Sequence, residues 1–191
     1  MNDNNRTNNI LAVVVFIAVA IASRFFGPAL FGHPSNFAPV DAVALFSGAY
    51  IARRWLSIAI PLLFVWIGDV IVNYGYYGRF VAFYDGFYWQ YGTYALIVLL
   101  GFIMLNKKVK PLNVLGASLS ASVLFFVLTN FGVWASGTLY PKTIEGLITC
   151  YFAAIPFFKQ TLTSDLVYCT FLFGSFELLK AQLPKLATSK A

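Results

Sequence analysis

An all-α, polytopic membrane bundle is the fold this sequence predicts, and three observations predict it. Only 10% of its 191 residues are charged and 60% are hydrophobic, whereas a soluble domain carries about 25% charged residues. Mean hydropathy is +0.76. The apolar residues gather into six main stretches, and the loops between those stretches alternate in character. The second and fourth loops are short and basic, with Arg53-Arg54 and Lys107-Lys108-Val109-Lys110. The first, third and fifth are long, aromatic and poor in net charge. A chain this apolar cannot enclose its side chains in one water-soluble core, so lipid is its solvent. Each crossing needs roughly 20 apolar residues and six need about 120, which leaves three loops and no soluble domain. Residues 1–191 therefore read as a single integral membrane domain.

Each crossing has its own signals. The first, 10–26, is rich in Ala and Val and ends at Gly27-Pro28. Its apolar stretch lacks a clean small-residue cleavage site, so it reads as a retained helix and not as a removed signal peptide. The second, 37–52, has Pro39 near its start and Asp41 in its first turn. The third, 55–72, contains Pro61, and the fourth covers 92–105. The fifth, 112–134, is the plainest apolar run. Beyond Trp134, Ser136-Gly137 and Tyr140-Pro141 mark turns, and Thr143 can cap a helix with Glu145 in its first turn. The run 144–158 is short for a crossing and holds Pro156, which predicts a short re-entrant or interfacial helix. Thr163 or Ser164 would then cap the sixth crossing, 165–183, stopped by Pro184.

Charge sets the expected orientation. With the N-terminus inside, Arg6, Arg53, Arg54, Lys107, Lys108, Lys110, Lys180, Lys185 and Lys190 are cytoplasmic, nine cations. Arg24, Arg79, Lys142 and Lys159, four cations, are outside. That bias places both termini in the cytoplasm. If 144–158 also spans, there are seven crossings and the C-terminal lysines move to the wrong side.

The net charge of +6 sits beside apolar segments, so it speaks for orientation and not for nucleic acid. Cys150 and Cys169 lie in apolar surroundings and show no metal spacing. No Ser/His/Asp set, nucleotide loop or zinc motif is present, and the chain is not expected to be an enzyme or to carry a cofactor.

Polar groups inside apolar segments face a bundle interior, a partner or water. Asp41, Asp69 and Asn130 fall near the outer ends of their crossings, which predicts a shared floor beneath the long loops. Helix capping and interfacial hydrogen bonds are the other reading of the same residues. Glu177 pairs with Lys180, three residues on. Ten aromatics occupy the nineteen positions 73–91, which suits either an interfacial belt or a lid over a ligand. His33, the one histidine, precedes Pro34 in the first loop. The expected ligand-binding residues are His33, Asn36, Asp69, Tyr88, Asn130 and Trp134. Small residues let helices approach closely in lipid. Gly116, Ala117, Ser118, Ser120, Ala121 and Ser122 on crossing five, and Ala18 and Ala22 on crossing one, fit either packing within the chain or docking of a partner.

Four stretches carry a resemblance: His33-Pro34-Ser35-Asn36-Phe37-Ala38-Pro39-Val40, Leu45-Phe46-Ser47-Gly48-Ala49-Tyr50, Thr129-Asn130-Phe131-Gly132-Val133-Trp134 and Tyr140-Pro141-Lys142-Thr143-Ile144-Glu145-Gly146-Leu147. They resemble a family of small bacterial inner-membrane proteins. The architecture is similar to that of the substrate-binding S components of energy-coupling-factor (ECF) vitamin transporters, with the solitary cobalamin type (BtuM-like) the nearest comparison. That resemblance implies a bacterial inner-membrane protein that binds a small organic solute, such as a vitamin, under its outer loops. It also implies that Ala18 and Ala22 dock a transmembrane coupling subunit. The cobalamin type uses a cysteine near the bound cobalt, whereas no cysteine occurs in the first three loops here. The alternative is an accessory subunit of a larger membrane assembly.

Overall fold

The computed structural model describes residues 3–23, 37–106 and 109–182. All regular structure among them is helical: α1 Asp3–Ser23, α2 Val40–Tyr50, α3 Arg54–Tyr77, α4 Phe87–Leu105, α5 Pro111–Ser136 and α6 Ile144–Gln182. Four of these, α3 to α6, are long and apolar enough to cross a membrane. Expected ligand residues His33 and Asn36 lie outside the described residues.

α2 is the hub. Its 11 residues span about 16 Å, too short for a hydrocarbon core of about 30 Å, and every residue from Val40 to Gly48 is buried. The other five helices all pack against it. Pro39 begins α2 with its carbonyl accepting the Val43 N–H at 2.8 Å, and the Ile51 N–H closes its end on the Ser47 carbonyl. The Ser47 hydroxyl donates to the Ser57 carbonyl at 2.7 Å, which fixes the turn into α3.

Two glycines set the crossing of α2 with α4. A Cβ on Gly48 would run into the Val98 carbonyl, and one on Gly101 would run into the Leu45 carbonyl. The two backbones therefore meet directly, as small residues permit in lipid. Phe46 fills the space beside this contact. Its ring stacks on Phe16 of α1 at 5.9 Å and meets Phe173 and Phe176 of α6 edge-on at 5.3 and 5.2 Å. Tyr50 closes the cluster, donating to Glu177 Oε1 at 2.5 Å, and Lys180 reaches the same oxygen at 2.9 Å. The i,i+3 pairing of Glu177 with Lys180 is as the spacing predicts.

The separate short helix over 144–158 and the break before 165 are corrected: Ile144–Gln182 is one helix of 39 residues. Thr143 caps it, accepting the Gly146 N–H at 3.1 Å. The residues expected to cap a new helix are used otherwise. Thr163 donates back to the Lys159 carbonyl within the helix, and Ser164 donates to the Ala38 carbonyl ahead of α2, both at 2.8 Å. Pro156 removes one helix hydrogen bond without ending the helix. The detour it allows is visible against α5. Tyr151 meets Val127 and Asp165 meets Ser122, so residues 151–165 of α6 pass only residues 122–127 of α5.

Small residues of α5 divide between the two readings offered for them. Ala117, Ser118, Ala121 and Ser122 are buried within the chain, while Ser120 faces outward. On α1, Ala22 is exposed and Ala18 half-buried, on an outward side shared with Leu11 and Val15.

Candidate functional site

The end of the bundle away from Arg53, Arg54 and Lys110 holds a cavity. Two glycines with positive φ shape its roof: Gly78 (φ 62°) stops α3 and Gly86 (φ 80°) starts α4. That left-handed conformation is open to glycine and costly for most other residues. The segment between them folds back over α3. The Trp66 indole donates to the Ala82 carbonyl at 3.0 Å, and the Phe83 ring lies 6.5 Å from Trp66 and 4.6 Å from Phe87.

Beneath this roof the first turn of α4 meets the last turns of α5 around a cavity of about 250 Å³, with Tyr84, Asp85, Trp89, Gln90, Thr129 and Ser136 in its wall. Its polar groups are held in place by one another. The Tyr84 hydroxyl donates to Gln90 Oε1 at 2.6 Å, and Gln90 Nε2 donates to the Tyr94 hydroxyl at 2.7 Å. Ser136 Oγ accepts the Trp89 indole N–H at 2.8 Å and shares a hydrogen bond with the Tyr88 hydroxyl at 2.7 Å. Gly132 makes room for the Trp89 ring, because a Cβ there would collide with it. Phe131 meets that ring edge-on at 5.3 Å and lies tilted against Trp134 at 5.5 Å, so the aromatics run on from the cavity along α5. Asp85 is the one charged residue in the wall, and it is exposed at the surface. Hydroxyls, an amide, an indole face and a carboxylate can bind a small polar solute that is neutral or cationic.

The expected site residues are not all brought together. Tyr88 is exposed at the cavity edge, held by Ser136. Asp69 is buried on α3 and accepts from the Tyr91 hydroxyl at 2.8 Å. Asn130 donates its amide back to the Phe126 carbonyl at 2.8 Å, while its own carbonyl accepts from the Cys150 thiol at 3.5 Å. Trp134 donates to the Pro141 carbonyl at 2.9 Å and carries the Lys142 ammonium 5.7 Å from its ring centre, so it fastens the α5–α6 turn. None of these four is in the cavity wall. Of the three residues expected to share a floor, Asp41 lies against Asp165 of α6, Asp69 against Tyr91 and Asn130 against Phe126.

Tyr84 and Trp89 are among the aromatics offered for a lid, whereas Asp85, Gln90, Thr129 and Ser136 are wall residues that sequence reasoning missed. Their signal was present: Thr129, Gly132 and Ser136 follow at i, i+3 and i+7, one face of a helix. Among the described residues no group of three His, Cys, Asp or Glu side chains is placed to hold a metal ion. Neither a curated protein nor a solved structure matches the chain. A family model does match, over residues 4–186, nearly the whole chain, and on that match the chain belongs to the family of unknown function DUF6580.

Proposed function

We propose that this chain is a six-pass membrane protein that binds a small neutral or cationic solute on its outer side. The observation that carries this reading is the cavity of about 250 Å³ whose wall groups Tyr84, Trp89, Gln90 and Ser136 are preset by hydrogen bonds. It is smaller than the roughly 300–1,000 Å³ of drug-sized ligand sites. A corrinoid far exceeds that space, so the proposal is confined to small solutes. With α2 counted as a buried pass, the six helices keep both termini on one side. The basic loops at Arg53-Arg54 and 107–110 support that side being the cytoplasm. Uptake into the cell would require a coupling partner, and the outward position of Ala18 and Ala22 supports α1 as the place where it docks.

Native mass spectrometry of the detergent-extracted chain tests the reading. A small molecule bound one per chain is the expected result. Other protein chains at fixed stoichiometry without any small molecule would replace it with the accessory-subunit reading.

A further inference from the structure

Away from the outer cavity, α2, α5 and α6 enclose a polar centre halfway along α5. Asp41 and Asp165 are 3% and 1% exposed, and their carboxyl groups act directly on each other. The Ser122 hydroxyl donates to Asp165 Oδ2 at 2.5 Å. Apart from the other carboxyl of the pair, nothing is placed to hydrogen-bond either oxygen of Asp41 or Oδ1 of Asp165. The Ser118 hydroxyl, fully buried one turn from Ser122, has the Cys169 thiol as its neighbour.

Buried polar groups are almost always satisfied, and each exception calls for an explanation such as a bound ion. A buried carboxylate without a cation is far costlier, and two together cannot both stay charged in apolar surroundings. The groups acting on the pair come from α5 (Ser122) and α6 (the Cys169 thiol), and no Lys, Arg or His among the described residues is one of them. Among the described residues nothing supplies the missing positive charge, which points to solution as its source.

A groove approaches the pair without reaching it. Ser118 and Cys169 also form the inner end of a groove of about 330 Å³ between α5 and α6, whose other end lies at Lys110 and Glu177. One layer of side chains thus separates the carboxyl pair from a groove that opens at the basic end of the bundle.

We propose that Asp41 and Asp165, with the Ser118 and Ser122 hydroxyls, form a binding site for one monovalent cation, a proton or sodium ion, reached through the α5–α6 groove. The site is distinct from the outer cavity and does not depend on a solute binding there.

Thermal unfolding of the full chain in lipid nanodiscs, followed by tryptophan fluorescence, tests this. Sodium chloride is exchanged for choline chloride at constant ionic strength, and pH is varied separately between about 5 and 9. The wild type is expected to shift its Tm by about 3 °C or more in one of the two titrations. A Tm that rises with sodium at fixed pH identifies sodium. A Tm that falls as pH rises without sodium identifies the proton, because the folded pair then holds a proton that the separated carboxylates of the unfolded chain release. The double variant Asp41→Asn/Asp165→Asn, whose amides can hydrogen-bond to each other, is expected to lose both dependences. Should the double variant fail to fold, Asp41→Leu/Asp165→Leu, which replaces both carboxyls with apolar groups, is expected to lose them too. A wild type flat in both titrations, or a folded variant that keeps the wild-type dependence, overturns the proposal.

Discussion

The indole N–H of Trp89, in the first turn of α4, donates to the hydroxyl of Ser136, in the last turn of α5, at 2.8 Å. This bond closes one wall of the outer cavity, and Gly132 is what lets the ring reach it. Substituting Gly132→Ala puts a methyl group into the Trp89 ring, so the indole must swing away and the wall opens. We expect a loss of about 1–3 kcal/mol, the usual cost of overpacking, seen as a lower Tm together with altered tryptophan emission.

Gly48 and Gly101 are predicted to tolerate no side chain. The atoms a new methyl would meet at either position are backbone atoms of the facing helix, which cannot rotate aside. Gly48→Ala and Gly101→Ala should each cost about 3 kcal/mol or more, at or above the upper end for overpacking. Gly75 is the contrast. It is inside α3 with open space around its Cα, so Gly75→Ala should raise stability by about 0.5–1 kcal/mol through helix propensity alone. Unfolding of the three variants in one detergent compares them.

Ser122→Ala should destabilise more than Ser120→Ala, although the residues are two apart. Ser122 is buried and donates to Asp165, whereas Ser120 is exposed and bonds only to its own helix at Gly116. Leaving the Asp165 oxygen without a donor should cost about 1–3 kcal/mol, and the Ser120 change should stay within about 0.5 kcal/mol. Denaturant titrations of the two variants read the difference.

Tyr50→Phe keeps the ring among Phe46, Phe173 and Phe176 and removes only the hydroxyl that donates to Glu177. A loss of about 1.5–3 kcal/mol is expected, the range for a hydrogen bond to a charged group. Lys180→Ala should cost less, because exposed or half-exposed ion pairs contribute little and its partnership with Glu177 is only part-buried. The ordering of the two Tm values checks this.

The orientation makes a separate prediction. Cysteines placed at Arg53 and at Leu139 should be labelled by a membrane-impermeant thiol reagent from opposite sides, Leu139 from outside intact cells and Arg53 only after permeabilisation. Labelling of both from one side contradicts the proposed arrangement of passes.

Long, uniformly apolar helices were legible in the sequence. The expected limits of α5, 112–134, fall within two residues of Pro111–Ser136. Thr143 was readable as a cap because a threonine before an apolar run has few other roles. What could not be read was where side chains at Pro156, Thr163 and Ser164 send their bonds. A proline and two hydroxyls look like a helix break, but here the hydroxyls bond back along α6 or across to Ala38 and the helix continues. Asp165 reads as the start of a helix at the membrane surface for the same reason, which hides its buried partnership with Asp41. Asp69, Asn130 and Trp134 stand near the expected end of the bundle, but which way a side chain points around its helix depends on packing angles that periodicity alone does not determine.

Solute binding in the outer cavity is the central claim, and the bound fraction in native mass spectra of the wild type and of Gly132→Ala tests it most directly. The wild type should carry one small molecule per chain, and Gly132→Ala, folded but with Trp89 displaced, should have lost it. A wild type with no bound molecule, or a Gly132→Ala variant that holds as much as the wild type, would contradict the account.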